Sequence, residues 1–420
     1  MLISRRQFLK SSIAVVPAAT IMPAVFSRAV AAAIHEQPFS AAPMGDRTLV
    51  IVQMKGGNDG LNTVVPANDP AYYEHRDLLA IPQNDILPMN NQVGFHPILN
   101  AFKELWDEGV LAAVEGVGYP QQNFSHFESM DIWQTGQYES IRSPEGWLGR
   151  YLEGIANEQA ELKSLVVASK MPRALASKKV TVPMAQKPAS FILKADPRSK
   201  ANLEARTQAL IDIYASAKDI SGFSALLDNT LDAAVKSSAA VQTAHEKYVP
   251  AVEYGDSKLA QSLRFVAEAV DADLGLRVGH VQIGGFDTHA SQIPRQEALL
   301  KDTADSIAAF YKDLKAHGRD KNVVIMTWSE FGRRVKANAS GGTDHGSAGP
   351  MFLVGTPVKG GLYGERASLT DIHKNNLKFT TDFRQVYSSV LENWLGAPAE
   401  IVLGARYEHI PFFNAGVGKP

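Results

Sequence analysis

The chain has 420 residues, 45% of them apolar, with 42 Lys and Arg against 44 Asp and Glu and no cysteine. A net charge of -2, with the basic residues spread along the chain, argues against a nucleic acid or an anionic membrane as partner. The lack of cysteine excludes disulfides, thiolate metal sites and a cysteine nucleophile, so a bound metal would sit on oxygen and imidazole ligands, which favours Zn, Mn, Mg or Ca.

The N-terminus reads SRRQFLK at 4–10, then an apolar run at 11–26 and the small residues AVAAA at 29–33, the pattern of a cleavable export signal. Arg5 and Arg6 ahead of Phe8, Leu9 and Lys10 make it a twin-arginine signal, implying passage through the twin-arginine translocase to the periplasm. The apolar run contains Pro17 and Pro23 and falls short of the ~20 residues of a spanning helix, so no stable membrane span is expected. Cleavage is expected after Ala31 or Ala33, leaving one α/β domain over 34–420.

RTLVIVQM at 47–54 is too short for a helix and rich in β-branched residues, as a buried parallel strand would be. It ends in KGGNDG, where Gly56 and Gly57 permit a sharp turn and Asn58 and Asp59 lie beyond the strand's carboxyl end, the ligand-binding edge of open α/β sheets. Asp59 there is either a metal ligand or a cap. The segment 66–95, punctuated by Pro, Asn and Asp, suggests a long surface excursion. A helix over 97–108 with Ile98, Phe102 and Leu105 on one face precedes a second strand at 110–118. Past that strand, Ser125 is either an N-cap or a nucleophile, and His126 either packs on the following helix or binds metal.

A helix at 146–156 and a strand at 163–169 come next, followed by a proline-punctuated accessory or lid stretch to about 194 and an Ala- and Ser-rich helical insertion near 196–249. Leu259, Leu263, Val266, Val270 and Leu274 mark a helix over 258–274. It feeds VQIGGFDTHA at 281–290, an apolar strand that stops at two glycines and presents Asp287 and His289 as a carboxylate and imidazole pair suited to a metal, or as a cap and a surface histidine. A helix at 293–316 leads to the strand NVVIMTW at 322–328. Glu330 and Arg333 follow, with Arg333 either holding an anionic substrate group or pairing with Glu330. The loop SGGTDHGSAG at 340–349 offers Asp344 and His345 on a flexible glycine frame before the strand PMFLVG. A capped helix over 380–396 closes the pattern, with Asp382 and Arg384 read as structural. Alternating strands and helices argue for a three-layer α/β/α fold with a largely parallel mixed sheet. P-loop, dinucleotide and zinc-protease motifs are absent, as is G-x-S-x-G.

The twin-arginine start together with MKGGNDGLN, GVGYPQQNFSHFESMDIWQTG, GWLGRYL, GGFDTHA, MTWSEFGRRV, GGTDHGSAGPMF and TTDFRQVY resembles the exported domain-of-unknown-function 1501 family over nearly all of the mature chain. That family looks related to the alkaline phosphatase and sulfatase superfamily, which implies an alkaline-phosphatase-like sheet plus a helical insertion, with metal at the strand ends. On this resemblance Asp59, Asp287, His289 and His345 correspond to metal ligands, and Ser125 lies where the nucleophile turn would be. SEFG departs from the superfamily's Asp-His pair: Glu330 can replace the acid, but Phe331 cannot bind metal, and His126 is the candidate for the missing imidazole. The implied function is an exported, divalent-metal-dependent hydrolase of phosphate or sulfate esters, with a small anionic ester as substrate, metal candidates Asp59, His126, Asp287, His289, Glu330, Asp344 and His345, and catalytic candidates Ser125 and Arg333. The alternative is a catalytically degenerate relative that binds an envelope ligand or partner protein.

Overall fold

The computed structural model describes residues 45–138, 144–158, 160–191 and 237–417. The expected export signal and most of the expected insertion lie outside these residues; of the latter, 237–247 are described and helical. The strands in chain order are β1 (Thr48–Lys55), β2 (Val64–Val65), β3 (Leu87–Pro88), β4 (Gly94–Phe95), β5 (Leu111–Gly118), β6 (Ser164–Val167), β7 (Met184–Ala185), β8 (Val278–Gly284), β9 (Val323–Trp328), β10 (Gly349–Val354), β11 (Gly361–Tyr363) and β12 (Thr381–Asp382).

The main sheet runs β11-β5-β10-β9-β1-β8-β6-β7, with β12 also on β5. At its centre β1 pairs in parallel with β8 and with β9, so the loops after these three strands emerge side by side at one edge. The parallel run continues through β6 to β7. PMFLVG, as β10, runs antiparallel to both β9 and β5, which makes the sheet mixed. The result is the expected α/β fold.

Alternation along β1 explains the layers. Val50, Val52 and Met54 point into one core with Phe102, Leu263 and Ile307, from the helices Asn100–Asp107, Lys258–Asp271 and Gln292–Ala316. Leu49 and Ile51 point into the other, with Trp133, Trp147 and Val390 from the helices His126–Thr135, Trp147–Gly154 and Phe383–Asn393. Helices on both faces are what a central strand that is apolar on both sides requires. The last of these helices begins as expected: Asp382 accepts from the Arg384 N–H, Gln385 returns the bond as a capping box, and Arg384 pairs with Asp382 at 2.6 Å.

The segment 66–95 is more than a surface excursion. It holds the short helix Pro70–His75 and the strands β3 and β4, which with β2 just before it form the small sheet β2-β4-β3, and its Tyr72, Ile81 and Ile86 join a third core cluster. Two-residue strands and a single helical turn leave no periodicity to read. The accessory stretch after β6 likewise supplies an edge strand, β7.

Asp313, buried on the helix Gln292–Ala316, anchors the chain just after the helical stretch 237–247. Its carboxylate accepts from the Tyr248 hydroxyl, from the Tyr254 hydroxyl at 2.8 Å and from the Ala251 N–H at 2.7 Å. Removing the acceptor strands these donors, so Asp313→Ala is expected to lower the unfolding free energy by about 3 kcal/mol in urea titrations.

Candidate metal centre

The centre is built from loops at the sheet edge where β1, β8 and β9 end. Asp287 and His289 follow β8, Glu330 follows β9, Asp344 and His345 lie on the glycine loop before β10, and His126 opens the helix after β5. The Asp287 Oδ1 lies 3.0 Å from the His289 Nε2 and 3.0 Å from the His345 Nε2, and these two nitrogens are themselves 3.0 Å apart. The His126 Nε2 is 3.5 Å from the Asp287 Oδ2. Ligand atoms of His126, Asp287 and His345 all lie within 4.8 Å of one another.

The hydrogen bonds on the far side of each ring assign the tautomers. The His126 Nδ1 meets the Glu330 Oε1 at 2.7 Å, the His289 Nδ1 meets the Asp344 Oδ1 at 3.2 Å, and the His345 Nδ1 meets the Phe124 carbonyl at 2.8 Å. Each of these partners accepts, so each Nδ1 carries the proton and each Nε2 presents a lone pair. Three bare Nε2 atoms turned toward one carboxylate repel one another unless a cation sits among them. That donor set fits a divalent ion such as Zn or Mn, with the carboxylates and carbonyl behind the imidazoles fixing ring orientation as around metal-bound histidines.

Glu330 and Asp344 therefore stand behind histidines rather than at the converging atoms. Glu330, 1% exposed, also accepts the Gly56 N–H at 2.9 Å, and its Oε2 has no hydrogen-bond partner among the described residues. Its hydrogen bond raises the His126 pKa, against burial, which lowers it. For His345 burial is the larger influence and the pKa falls, in keeping with a neutral ligand. Burial opposes ionisation of Asp287, but the hydrogen bond and charge of Arg333 outweigh it and hold the carboxyl well below the usual range.

Arg333 is 1% exposed and committed to protein acceptors: the carbonyls of Gly57 at 2.7 Å, Thr343 at 2.8 Å, Phe286 at 2.9 Å and Gly56, and the Asp287 Oδ1 at 2.8 Å. Its ion-pair partner is Asp287, not Glu330, and its donors are directed at these acceptors rather than at a substrate anion. Phe331 is buried, its ring centroid 4.9 Å from that of His126 and 4.6 Å from that of His345, so it packs the two imidazoles as an apolar wall.

Asp59 does not join the converging atoms. It is buried in an ion pair with Arg76, whose Nη1 contacts Oδ2 and whose Nη2 reaches Oδ1 at 2.8 Å, and it accepts from the Gln292 Nε2 at 2.5 Å. Burial disfavours its charge, yet Arg76, Gln292 and Arg333 more than offset this and lower its pKa. Both oxygens are thus occupied. Nothing about Arg76 at the sequence level signals this partnership, since it lies in the aperiodic 66–95 segment. Ser125 is exposed at the N-cap position next to His126; its side chain caps nothing, and its hydroxyl has no partner among the described residues.

Gly56 and Gly57 have φ of +119° and +80°, and a β-carbon on Gly56 would lie 2.4 Å from the Asp287 backbone nitrogen. Only glycine fits there. A β-carbon on Gly57 would strike the Phe331 ring at 2.5 Å.

A model of a family described as protein of unknown function, DUF1501, matches residues 111–396, well over half of the chain. No curated protein matches it. Among solved structures it is similar to the PsFucS1 sulfatase from Pseudoalteromonas sp., at 12% identity and TM-score 0.39 over 99% of this chain and 77% of that one. It is also similar to a protein in the alkaline phosphatase superfamily from Vibrio parahaemolyticus, at 8% identity and TM-score 0.37 over 93% and 78%. A third is the phosphonate monoester hydrolase SpPMH from Silicibacter pomeroyi, at 10% identity and TM-score 0.36 over 86% and 77%. Likenesses this distant assign no residue a role.

Two substitutions separate the outer residues of the centre. Glu330→Gln is expected to weaken zinc binding about 10- to 100-fold in a competitive chelator titration, because it loosens His126. Asp59→Asn is expected to leave zinc affinity unchanged while costing about 3–5 kcal/mol in chemical denaturation, because it leaves Arg76 buried without its counter-ion. The ion pair stabilises the fold only where Asp59 is charged. With its folded pKa depressed, that contribution is present above the unfolded value near ~4 and fades as pH falls through the folded pKa.

Proposed function

Since the chain belongs to the DUF1501 family, whose description assigns no activity, the function has to be read from the chain's own site, and we propose a divalent-metal-dependent hydrolase of phosphate or sulfate esters. The observation that carries this reading is the convergence of three bare imidazole nitrogens, from His126, His289 and His345, on the Asp287 carboxylate at an exposed sheet edge. The residues that would hold the ion are His126, Asp287, His289 and His345. A bound divalent ion would polarise the ester oxygen and lower the pKa of an oxygen nucleophile.

The remaining roles fall to the chain. Glu330 keeps the His126 Nδ1 protonated, Asp344 does the same for His289 and the Phe124 carbonyl for His345, so all three rings stay in the ligating tautomer. Arg333 holds Asp287 ionised and in place. Ser125, exposed and adjacent to His126, is the nucleophile the chain offers. Its Oγ would form a bond to phosphorus or sulfur as the bond to the leaving alcohol oxygen breaks, the alcohol taking up a proton and water later cleaving the seryl ester. We further propose that the protein works in the periplasm, on the strength of the twin-arginine motif SRRQFLK at 4–10.

One observation favours a second reading, binding of an envelope ligand without catalysis: Phe331, which has no atom that could bind a cation, presents its ring to His126 and His345. The two readings part in one experiment. Purified protein should carry a divalent metal by elemental analysis and hydrolyse an aryl phosphate or aryl sulfate. Turnover should vanish on chelation and return with Zn or Mn. Asp287→Ala should abolish both metal and turnover, and Ser125→Ala should cut turnover by on the order of a hundredfold or more at unchanged metal content. Metal-free protein inert after Zn and Mn addition would sink the hydrolase reading, whereas metal-loaded protein inert toward both esters would leave the binder.

A further inference from the structure

A cleft of about 430 Å³ opens directly beside the metal centre, sharing His126 and Glu330 with it and continuing past Lys55, Gln282 and Gly285 to Lys258. Lys55 ends β1 and Lys258 begins the helix Lys258–Asp271, so elements far apart in sequence bring two lysines to the lining of one cleft. Neither ammonium has a hydrogen bond or ion pair among the described residues, although most of the better-buried cations nearby are tied to acceptors. A third cation adjoins the rim: a β-carbon added at Gly285 would lie 3.5 Å from the Arg295 Nη2, and Arg295 too has no ion-pair partner among the described residues. Among the described residues the lone acid lining the cleft is Glu330, which is buried and committed to His126 and the Gly56 N–H.

Opposite charge is therefore what this wall lacks. Arg333, the cation nearest the metal ligands, cannot supply it to a substrate because its donors are spent on backbone carbonyls and Asp287. Lys stems present a flexible point charge that suits an anionic group arriving with its hydration, and unpaired cations around a concave surface raise the local concentration of anions.

Resting on the hydrolase reading for the position of the reacting ester, we infer that Lys55, Lys258 and Arg295 form a second anion subsite, and that the substrate is a polyanionic ester. It carries at least one further sulfate or phosphate group beside the one at the metal centre. The subsite selects such substrates over singly charged ones through binding, not through the chemical step.

The test is calorimetric titration of zinc-loaded protein with disaccharides bearing one, two or three sulfates, and with the corresponding phosphate esters. The second charge should tighten binding at least tenfold, and the series that gains more identifies sulfate or phosphate as the flanking group. Lys55→Met, Lys258→Met and Arg295→Met keep side-chain bulk. Combined, they should reduce the gain to less than twofold while leaving zinc affinity and the affinity for the singly charged ester unchanged. Equal affinity across each series, a gain that survives the triple variant, or no binding of any member would overturn the inference. Because the readout is binding, it is separable from turnover: charge selection without hydrolysis refutes the enzyme alone, and hydrolysis without charge selection refutes the subsite alone.

Discussion

The buried guanidinium of Arg333 is the constraint on which the rest of the centre depends. It draws together the carbonyls of Gly56 and Gly57 after β1, Phe286 after β8 and Thr343 before β10, and it ends on the Asp287 carboxylate. Three loops that lie far apart in sequence, the third being the one that carries Arg333 itself, are thereby held at one point. A charge this deep is costly unless every donor is met, and here backbone carbonyls meet them. The glycines make the approach possible, since a β-carbon on Gly56 would collide with the Asp287 backbone.

Around this hub the polar residues sort by distance from the converging atoms. His126, His289, His345 and Asp287 face inward, while Glu330, Asp344 and the Phe124 carbonyl face the opposite ring nitrogens and decide which nitrogen carries a proton. The Asp59–Arg76 pair forms an outer, fully buried support reached through Gln292, which also accepts from the Thr343 hydroxyl. Phe331 closes one side of the imidazole cluster with an apolar ring. Lys55 and Lys258, with no hydrogen bond or ion pair among the described residues, lie outside this support, in the lining of the cleft.

Much of the fold was legible because the central strands and long helices obey simple periods. β1 carries the apolar run LVIV and β9 the run VVIM, and the helices Lys258–Asp271 and Gln292–Ala316 carry one apolar face each. The 66–95 segment was illegible for the opposite reason: its strands are two residues long, and its burial comes from contacts with the chain near 335–377. Of the site, His126, Asp287, His289 and His345 could be named from strand-end position and residue chemistry. The expected roles of Asp59 and Arg333 did not match their placement, because each is captured by a partner that no local pattern announces, Arg76 in one case and a set of backbone carbonyls in the other.

Sequence alone determined the layered α/β architecture, the oxygen and imidazole character of any metal site and the loops that carry it, since these follow from period, composition and strand-end position. Only the tertiary structure decided which acids face the imidazoles from within and which from behind, and which cations are tied to acceptors. Those distinctions rest on hydrogen bonds between residues as far apart as Glu330 and His126 or Arg333 and Gly57, and such pairings exist only once the sheet has brought its strand ends together.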